Sequence, residues 1–99
     1  MAYTIEFAES VKEQLRELTA RQRTTLFDSI EERLLHEPLK ETRNRKPLRP
    51  NPIAPWELRA GNLRVFYEVA VDEPDTVRIL AIGQKKGNKL YIAGKEVAL

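Results

Sequence analysis

The chain has 99 residues, 41% hydrophobic and 32% charged, with no cysteine and a single histidine. That is enough for one modest core of ordinary globular composition, and it excludes disulfides, thiolate chemistry and a histidine-rich metal site. No apolar run approaches the roughly 18 residues of a membrane span and the first residues lack a secretion-signal stretch, so one cytoplasmic domain over residues 1–99 is expected, with no cofactor, metal or membrane partner.

Tyr3, Ile5 and Phe7 alternate with polar residues, the period of a short half-buried strand. Ser10-Val11-Lys12-Glu13 fits a capping box, and Val11, Leu15 and Leu18 then recur at helical spacing. A second box, Thr19-Ala20-Arg21-Gln22, opens a helix whose stripe is Phe27, Ile30 and Leu34, widened by Leu26 and Leu35 and stopped by Pro38. With almost no linker between them, the helices are expected to form an antiparallel hairpin. Residues 37–55, EPLKETRNRKPLRPNPIAP, hold five of the six prolines and read as an irregular basic segment, long enough to suggest function rather than connection. Three strands follow, Trp56–Ala60, Leu63–Val71 and Thr76–Gly83, with turns at Gly61-Asn62 and Asp72–Asp75 and a short tail beyond. The order β-α-α-β-β-β predicts an α+β domain, a helical hairpin on one face of a mainly antiparallel four-stranded sheet.

Charge is segregated along this order. Residues 1–42 carry 6 Lys/Arg against 9 Asp/Glu, whereas residues 43–99 carry 11 against 6, a net of +5. A polyanion or an acidic partner facing the second half is implied.

The turns also set a register. A two-residue turn at Gly61-Asn62 places Arg59 opposite Arg64, and a turn within Asp72–Asp75 places Arg64 opposite Gly83, with Lys85 on the diagonal roughly 7–8 Å away. Alternation then assigns Trp56, Leu58, Leu63, Val65, Tyr67, Val69, Leu80 and Ile82 to the core face. Glu57, Arg59, Arg64, Phe66, Glu68, Ile79, Ala81, Gly83 and Lys85 fall on a mixed face that cannot be fully buried. Arg59, Arg64 and Lys85 converge at one end of it, with Lys86, Lys89 and Tyr91 just beyond. Like charges opposite one another destabilise a sheet, so the cluster implies an anion. Arginine matches phosphate oxygens, lysine adds a mobile charge, and Tyr91 offers a ring on which an RNA base can stack. The competing reading of Arg64 is an ion pair with Glu57 or Glu68. Arg43, Arg45, Lys46 and Arg49 are expected to meet nucleic acid as a group.

The segments WELRAGNLRVFYEV and VRILAIGQKKGNKLY resemble the RelE/ParE superfamily of bacterial toxins from type II toxin–antitoxin systems. The most specific parts are the L-R-x-G-x-x-R-V-x-Y-x-V hairpin and the I-G-x-(K/R)…Y ending, and the likeness covers nearly the whole chain. RelE-branch proteins cleave messenger RNA in the ribosomal A site, whereas ParE-branch proteins poison DNA gyrase and cleave nothing. By this resemblance Arg64 corresponds to the arginine that begins the third strand, Lys85 to the basic residue after the strand-four glycine, and Tyr91 to the C-terminal tyrosine. Where RelE-like enzymes place lysines on the second strand, this chain has Pro55 and Glu57, and a later arginine falls on Gly87.

The resemblance implies a toxin that inhibits translation as a ribosome-dependent, metal-independent endoribonuclease. Arg64, Lys85 and Tyr91 are its catalytic residues: Arg64 stabilises the phosphorane, Lys85 transfers protons and Tyr91 orients a base. Lys46, Arg59, Lys86 and Lys89 bind RNA, and Glu57 is a candidate base because it shares the face of Arg64. Its partners are a cognate acidic antitoxin and messenger RNA on the ribosome. The alternatives are a ParE-like gyrase inhibitor and a catalytically silent RNA- or antitoxin-binding domain. The register makes its own prediction: Arg59, Arg64 and Lys85 share one sheet face, opposite that of Leu63 and Val65.

Overall fold

The computed structural model describes residues 2–99. In chain order the elements are β1 (Thr4–Phe7), α1 (Glu9–Arg16), α2 (Ala20–Leu34), β2 (Arg45–Pro47), β3 (Trp56–Ala60), β4 (Leu63–Val69), β5 (Thr76–Lys86), β6 (Lys89–Ile92) and β7 (Lys95–Val97). The strands form one sheet in the order β2-β3-β4-β5-β6-β7, antiparallel throughout, and β1 adds to β5 in parallel. The α+β class and the two helices on one face are as expected. The sheet has seven strands rather than four, because the proline-rich segment contributes β2 and the residues read as a tail fold into the β6–β7 hairpin.

Local chemistry explains the helix ends. At Thr19 the capping box is complete: its hydroxyl accepts from Gln22 N–H at 3.1 Å, and the Gln22 side chain accepts from Thr19 N–H at 2.9 Å. The box expected at Ser10 does not form. Helix α1 starts two residues earlier, behind Ala8, which offers no side-chain cap; Glu9 supplies a carboxylate in the first turn instead. Between the helices, Arg23 Nη1 donates to the carbonyls of Leu15 (3.2 Å) and Leu18 (2.6 Å), bracing the turn that ends α1.

The hairpin registers match expectation at the site end: Arg59 faces Arg64, and Arg64 faces Gly83. Further along, a bulge between Phe66 and Tyr67 shifts the β4–β5 pairing so that Tyr67 opposes Ile79. One extra residue in β5 reverses the alternation beyond it. Ile79 therefore joins the helix-side core with Leu58, Leu63, Val65, Tyr67 and Ile82, while Leu80 moves to the other face, the reverse of the sequence assignment.

That other face is also less open than expected. Phe66 is fully buried there, with Ala54, Ala81 and Leu90 around it and Leu48, Ile53, Leu80, Ile92 and Val97 packed against them. The proline-rich loop covers it from one side and the β6–β7 hairpin from the other, so the protein has two cores, one on each side of the sheet. In the larger one, the Tyr67 hydroxyl donates to the Pro38 carbonyl at 2.6 Å, tying the end of the helical half to β4. Burial pushes the Tyr67 pKa up, with nearby Arg45 opposing, so the hydroxyl remains a protonated donor. Tyr67→Phe leaves that carbonyl without its partner and is expected to cost about 1–3 kcal/mol in urea-induced unfolding, with the slope of the transition unchanged.

Candidate nucleic-acid interface

Within the basic segment between α2 and β3, the turn over residues 49–54 is held in shape by one side chain. Asn51 Nδ2 donates to the carbonyls of Arg49 (2.7 Å) and Ala54 (2.9 Å), while its Oδ1 accepts from the N–H groups of Ile53 (2.8 Å) and Ala54 (3.0 Å). Proline on both sides of Asn51 removes competing donors, and the asparagine closes the turn as a short polar side chain can. The sequence reading passed over Asn51; its signal was the run Pro50-Asn51-Pro52. Before this turn, β2 pairs with β3 so that Lys46 lies opposite Glu57.

This loop forms one wall of a groove of about 610 Å³. Lys46, Arg49, Lys85 and Lys89 are its cationic lining, Glu57 and Glu96 its carboxylates, and residues 97–99 complete the far wall. Lys46 Nζ lies 3.7 Å from Glu57 Oε2, and Lys89 Nζ lies 4.0 Å from Glu96 Oε1. The two carboxylates differ in setting, the Glu57 side chain being 12% exposed and that of Glu96 57%. Among the described residues, Arg49 and Lys85 form no ion pair.

Arg59, Arg64 and Lys85 share the face away from the helices, as the register requires, but their surroundings differ. Arg59 is exposed and Lys85 half-buried in the groove. Arg64 is only 8% exposed and does not line the groove. Neither expected carboxylate holds it: Arg64 Nη1 donates to the carbonyls of Gly61 (2.8 Å) and Leu63 (2.9 Å), while Glu57 pairs with Lys46 and Glu68 with Arg78. Burial lowers the Arg64 pKa, Glu57 nearby raises it and Arg59 lowers it. Starting from the arginine range, it stays charged at neutral pH. Among the described residues its Nε and Nη2 have no hydrogen-bond partner, and they keep contact with solvent. Arg45, grouped with the RNA-facing cations by sequence, turns inward, and its Nη1 donates to the Arg33 carbonyl at the end of α2.

Tyr91 stands on the opposite face. It pairs with Gln84, so alternation along β5 sends Gln84, Lys86 and Tyr91 toward α1 and leaves Gly83 and Lys85 on the groove side. There it lines a cleft of about 380 Å³ with Gln14, Glu17, Gln84 and Lys86, and Lys86 Nζ sits 5.5 Å from the Tyr91 ring centroid. The expected cluster is thus divided: Lys46, Lys85 and Lys89 line the groove with Arg59 and Arg64 on its face, while Lys86 and Tyr91 line a second cleft behind it. Alternation of the strand expected to end at Gly83 reaches only as far as Lys85, so it leaves the faces of Lys86, Lys89 and Tyr91 undefined.

The family model described as the ParE toxin of type II toxin–antitoxin system, parDE, matches residues 5–88. The chain belongs to this family. A chain of the toxin–antitoxin complex RelBE2 from Mycobacterium tuberculosis is similar to it over 86% of this chain and 100% of that one, at 27% identity and a TM-score of 0.71. The isolated Escherichia coli RelE toxin is similar over 86% of both chains, at 28% identity and a TM-score of 0.63. An archaeal RelE–RelB complex from Pyrococcus horikoshii shares the fold at 20% identity, covering 88% of this chain and 98% of that one with a TM-score of 0.66. No sequence among the curated proteins matches it significantly. The protein is a type II toxin of the RelE/ParE superfamily. No helix among the described residues is long and apolar enough to cross a membrane.

In this toxin the smaller core depends on a glycine. A Cβ at Gly83 would lie 2.8 Å from Leu90 Cδ1 and 3.1 Å from Phe66 Cε2, so the absence of a side chain lets β6 close over the smaller core. Gly83→Ala is expected to lower stability by roughly 1–3 kcal/mol. Hydrogen exchange should quicken first at the amides of β6 and β7; uniform protection at wild-type levels would contradict this.

Proposed function

We propose that the toxin inhibits translation as a metal-independent endoribonuclease acting on messenger RNA held by the ribosome. The observation that carries this reading is the groove itself: four cationic side chains surround a space that also contains a half-buried carboxylate, and Arg64 lies beside that carboxylate. Internal RNA cleavage needs no outside nucleophile, since the 2′-OH beside the broken bond attacks the phosphorus. What the protein must supply is alignment, stabilisation of the charge that grows on the phosphorus oxygens, and proton transfer. Arg64 meets the second requirement with its two unbonded nitrogens, on a guanidinium held in place through Nη1 by the Gly61 and Leu63 carbonyls. Lys85 stands at the groove as the proton donor to the leaving oxygen. Lys46, Arg59 and Lys89 follow the backbone of the message on this face. Lys86 and Tyr91 serve RNA only if the strand passes around the Gly87-Asn88 turn to the second cleft.

One feature favours a second reading, a gyrase-directed toxin that binds without cutting: β3 carries Glu57 and no lysine, with Pro55 just before it. Under either reading a cognate acidic antitoxin keeps the protein inactive, cytoplasmic like its target. The net +5 of residues 43–99 and the likeness to a chain of the toxin–antitoxin complex RelBE2 support this partner.

Induction followed by primer extension on cellular messages, with parallel measurement of DNA replication, separates the readings. The expected result is early arrest of translation with discrete cuts in translated messages and little cutting of free RNA. Arg64→Ala should reduce cutting by about 100-fold or more and Lys85→Ala should reduce it with the fold intact, while a loss in Tyr91→Ala would show that the message reaches the second cleft. Replication arrest with intact messages would establish the gyrase reading instead.

A further inference from the structure

From the same groove we infer that Glu57 is the general base of the cleavage, held in place by Lys46, an inference that rests on the nuclease reading. Its position is the first argument. Glu57 lines the groove together with Lys85 and is electrostatically coupled to Arg64, so it connects the groove with the guanidinium behind it. The other groove carboxylate, Glu96, is 57% exposed and belongs to the outer strand β7, whereas Glu57 is 12% exposed and belongs to β3, inside the sheet.

Its bonding is the second. Among the described residues the Glu57 carboxylate accepts no hydrogen bond, and its one ion-pair contact is with Lys46 at 3.7 Å. As an ionised carboxylate it is acceptor-only, with lone pairs left to take a proton. A stability role explains it poorly, since an ion pair at that distance between a half-exposed lysine and a carboxylate contributes little. Lys46 instead limits where the carboxylate can go, and the Lys46–Glu57 pairing of β2 with β3 depends on the loop that Asn51 closes.

The step balances within these residues. A phosphate drawn to Arg64 and Lys85 lies on the same sheet face as Glu57. The proton of the neighbouring ribose 2′-OH passes to the Glu57 carboxylate, the O2′–P bond forms as the P–O5′ bond breaks, and the departing O5′ takes a proton from the Lys85 ammonium. The products are a 2′,3′-cyclic phosphate and a 5′-hydroxyl, with no oxidant or reductant involved. Glu57 is the catalytic residue here and Lys46 a positioning residue.

The test is single-turnover cutting of a ribosome-held message by the toxin released from its antitoxin. Two messages are compared, one normal and one with sulfur in place of the bridging O5′ at the cut site, a leaving group that departs without a proton. Glu57→Gln, nearly the same shape, should cut both messages about 100-fold or more slowly, and Glu57→Asp, which keeps the carboxylate, should be distinctly faster than Glu57→Gln. Lys85→Ala should be slow on the normal message and recover on the sulfur one. Recovery of Glu57→Gln on the sulfur message would overturn the assignment, because Glu57 would then be acting through the acid. Equal losses in the Asp and Gln variants would overturn it too, whether from misfolding or from a role other than base. A wild-type rate in Glu57→Gln would remove the base while leaving the nuclease reading intact. A wild type that cuts neither message would end both.

Discussion

Strand β5 is the constraint to which the other elements answer. Its eleven residues pair with β4 along one edge, and along the other with β1 over Thr76–Ile79 and with β6 over Gly83–Lys86. Between those two partners the outer edge is open, and an unpaired buried backbone donor is costly. Gln14 closes the gap from α1, its Oε1 accepting from Ile82 N–H at 2.7 Å. One polar side chain on a helix thus completes the hydrogen bonding of the central strand and fixes where α1 lies. Arg78 performs the matching task lower down, joining Glu6 of β1 at 3.1 Å and Glu68 of β4 at 3.3 Å across β5.

Because every layer is referred to β5, its pleat decides the electrostatics of both faces. Lys85 and Lys86 are neighbours in sequence yet belong to different cavities, one with Lys46 and Glu57, the other with Tyr91 and Glu17. The same pleat brings Arg64 under the edge of the smaller core. A guanidinium in that position has lost much of its water, and the two turn carbonyls recover only part of the loss. It is therefore a rigid charge of low hydration, a different object from the mobile, solvated lysines around it.

Much of this was legible in the residues. The Gly61-Asn62 turn fixed the β3–β4 register because Gly61 takes a φ of 62°, which a first-position glycine permits in a two-residue hairpin turn. The placement of Arg59, Arg64 and Lys85 on one face followed from that turn. The bulge was not legible, since Ile79, Leu80 and Ala81 are all apolar and alternation among them carries no phase. The β6–β7 hairpin was missed for a related reason: its turn puts Ala93, a residue without turn preference, at a φ of 53° ahead of Gly94. Without that hairpin the face of Tyr91 was undefined. Pro47 disguised β2, which as an edge strand tolerates a proline. The partners of Arg64 were hidden because backbone carbonyls leave no mark in a sequence.

The parallel pairing of β1 with β5 sets an order on the birth of the molecule. Glu6 and Arg78 are separated by 72 positions, and contacts so distant in the chain carry a loop-closure cost that local ones do not. A chain emerging from the ribosome can wind α1 and α2 early, but it has no β5 to lay them on until residues 76–86 are out. The groove comes later still, since its walls extend to residues 85–99. Until those residues are out the helices have no finished groove beside them, and whatever recognises the helices can reach them first.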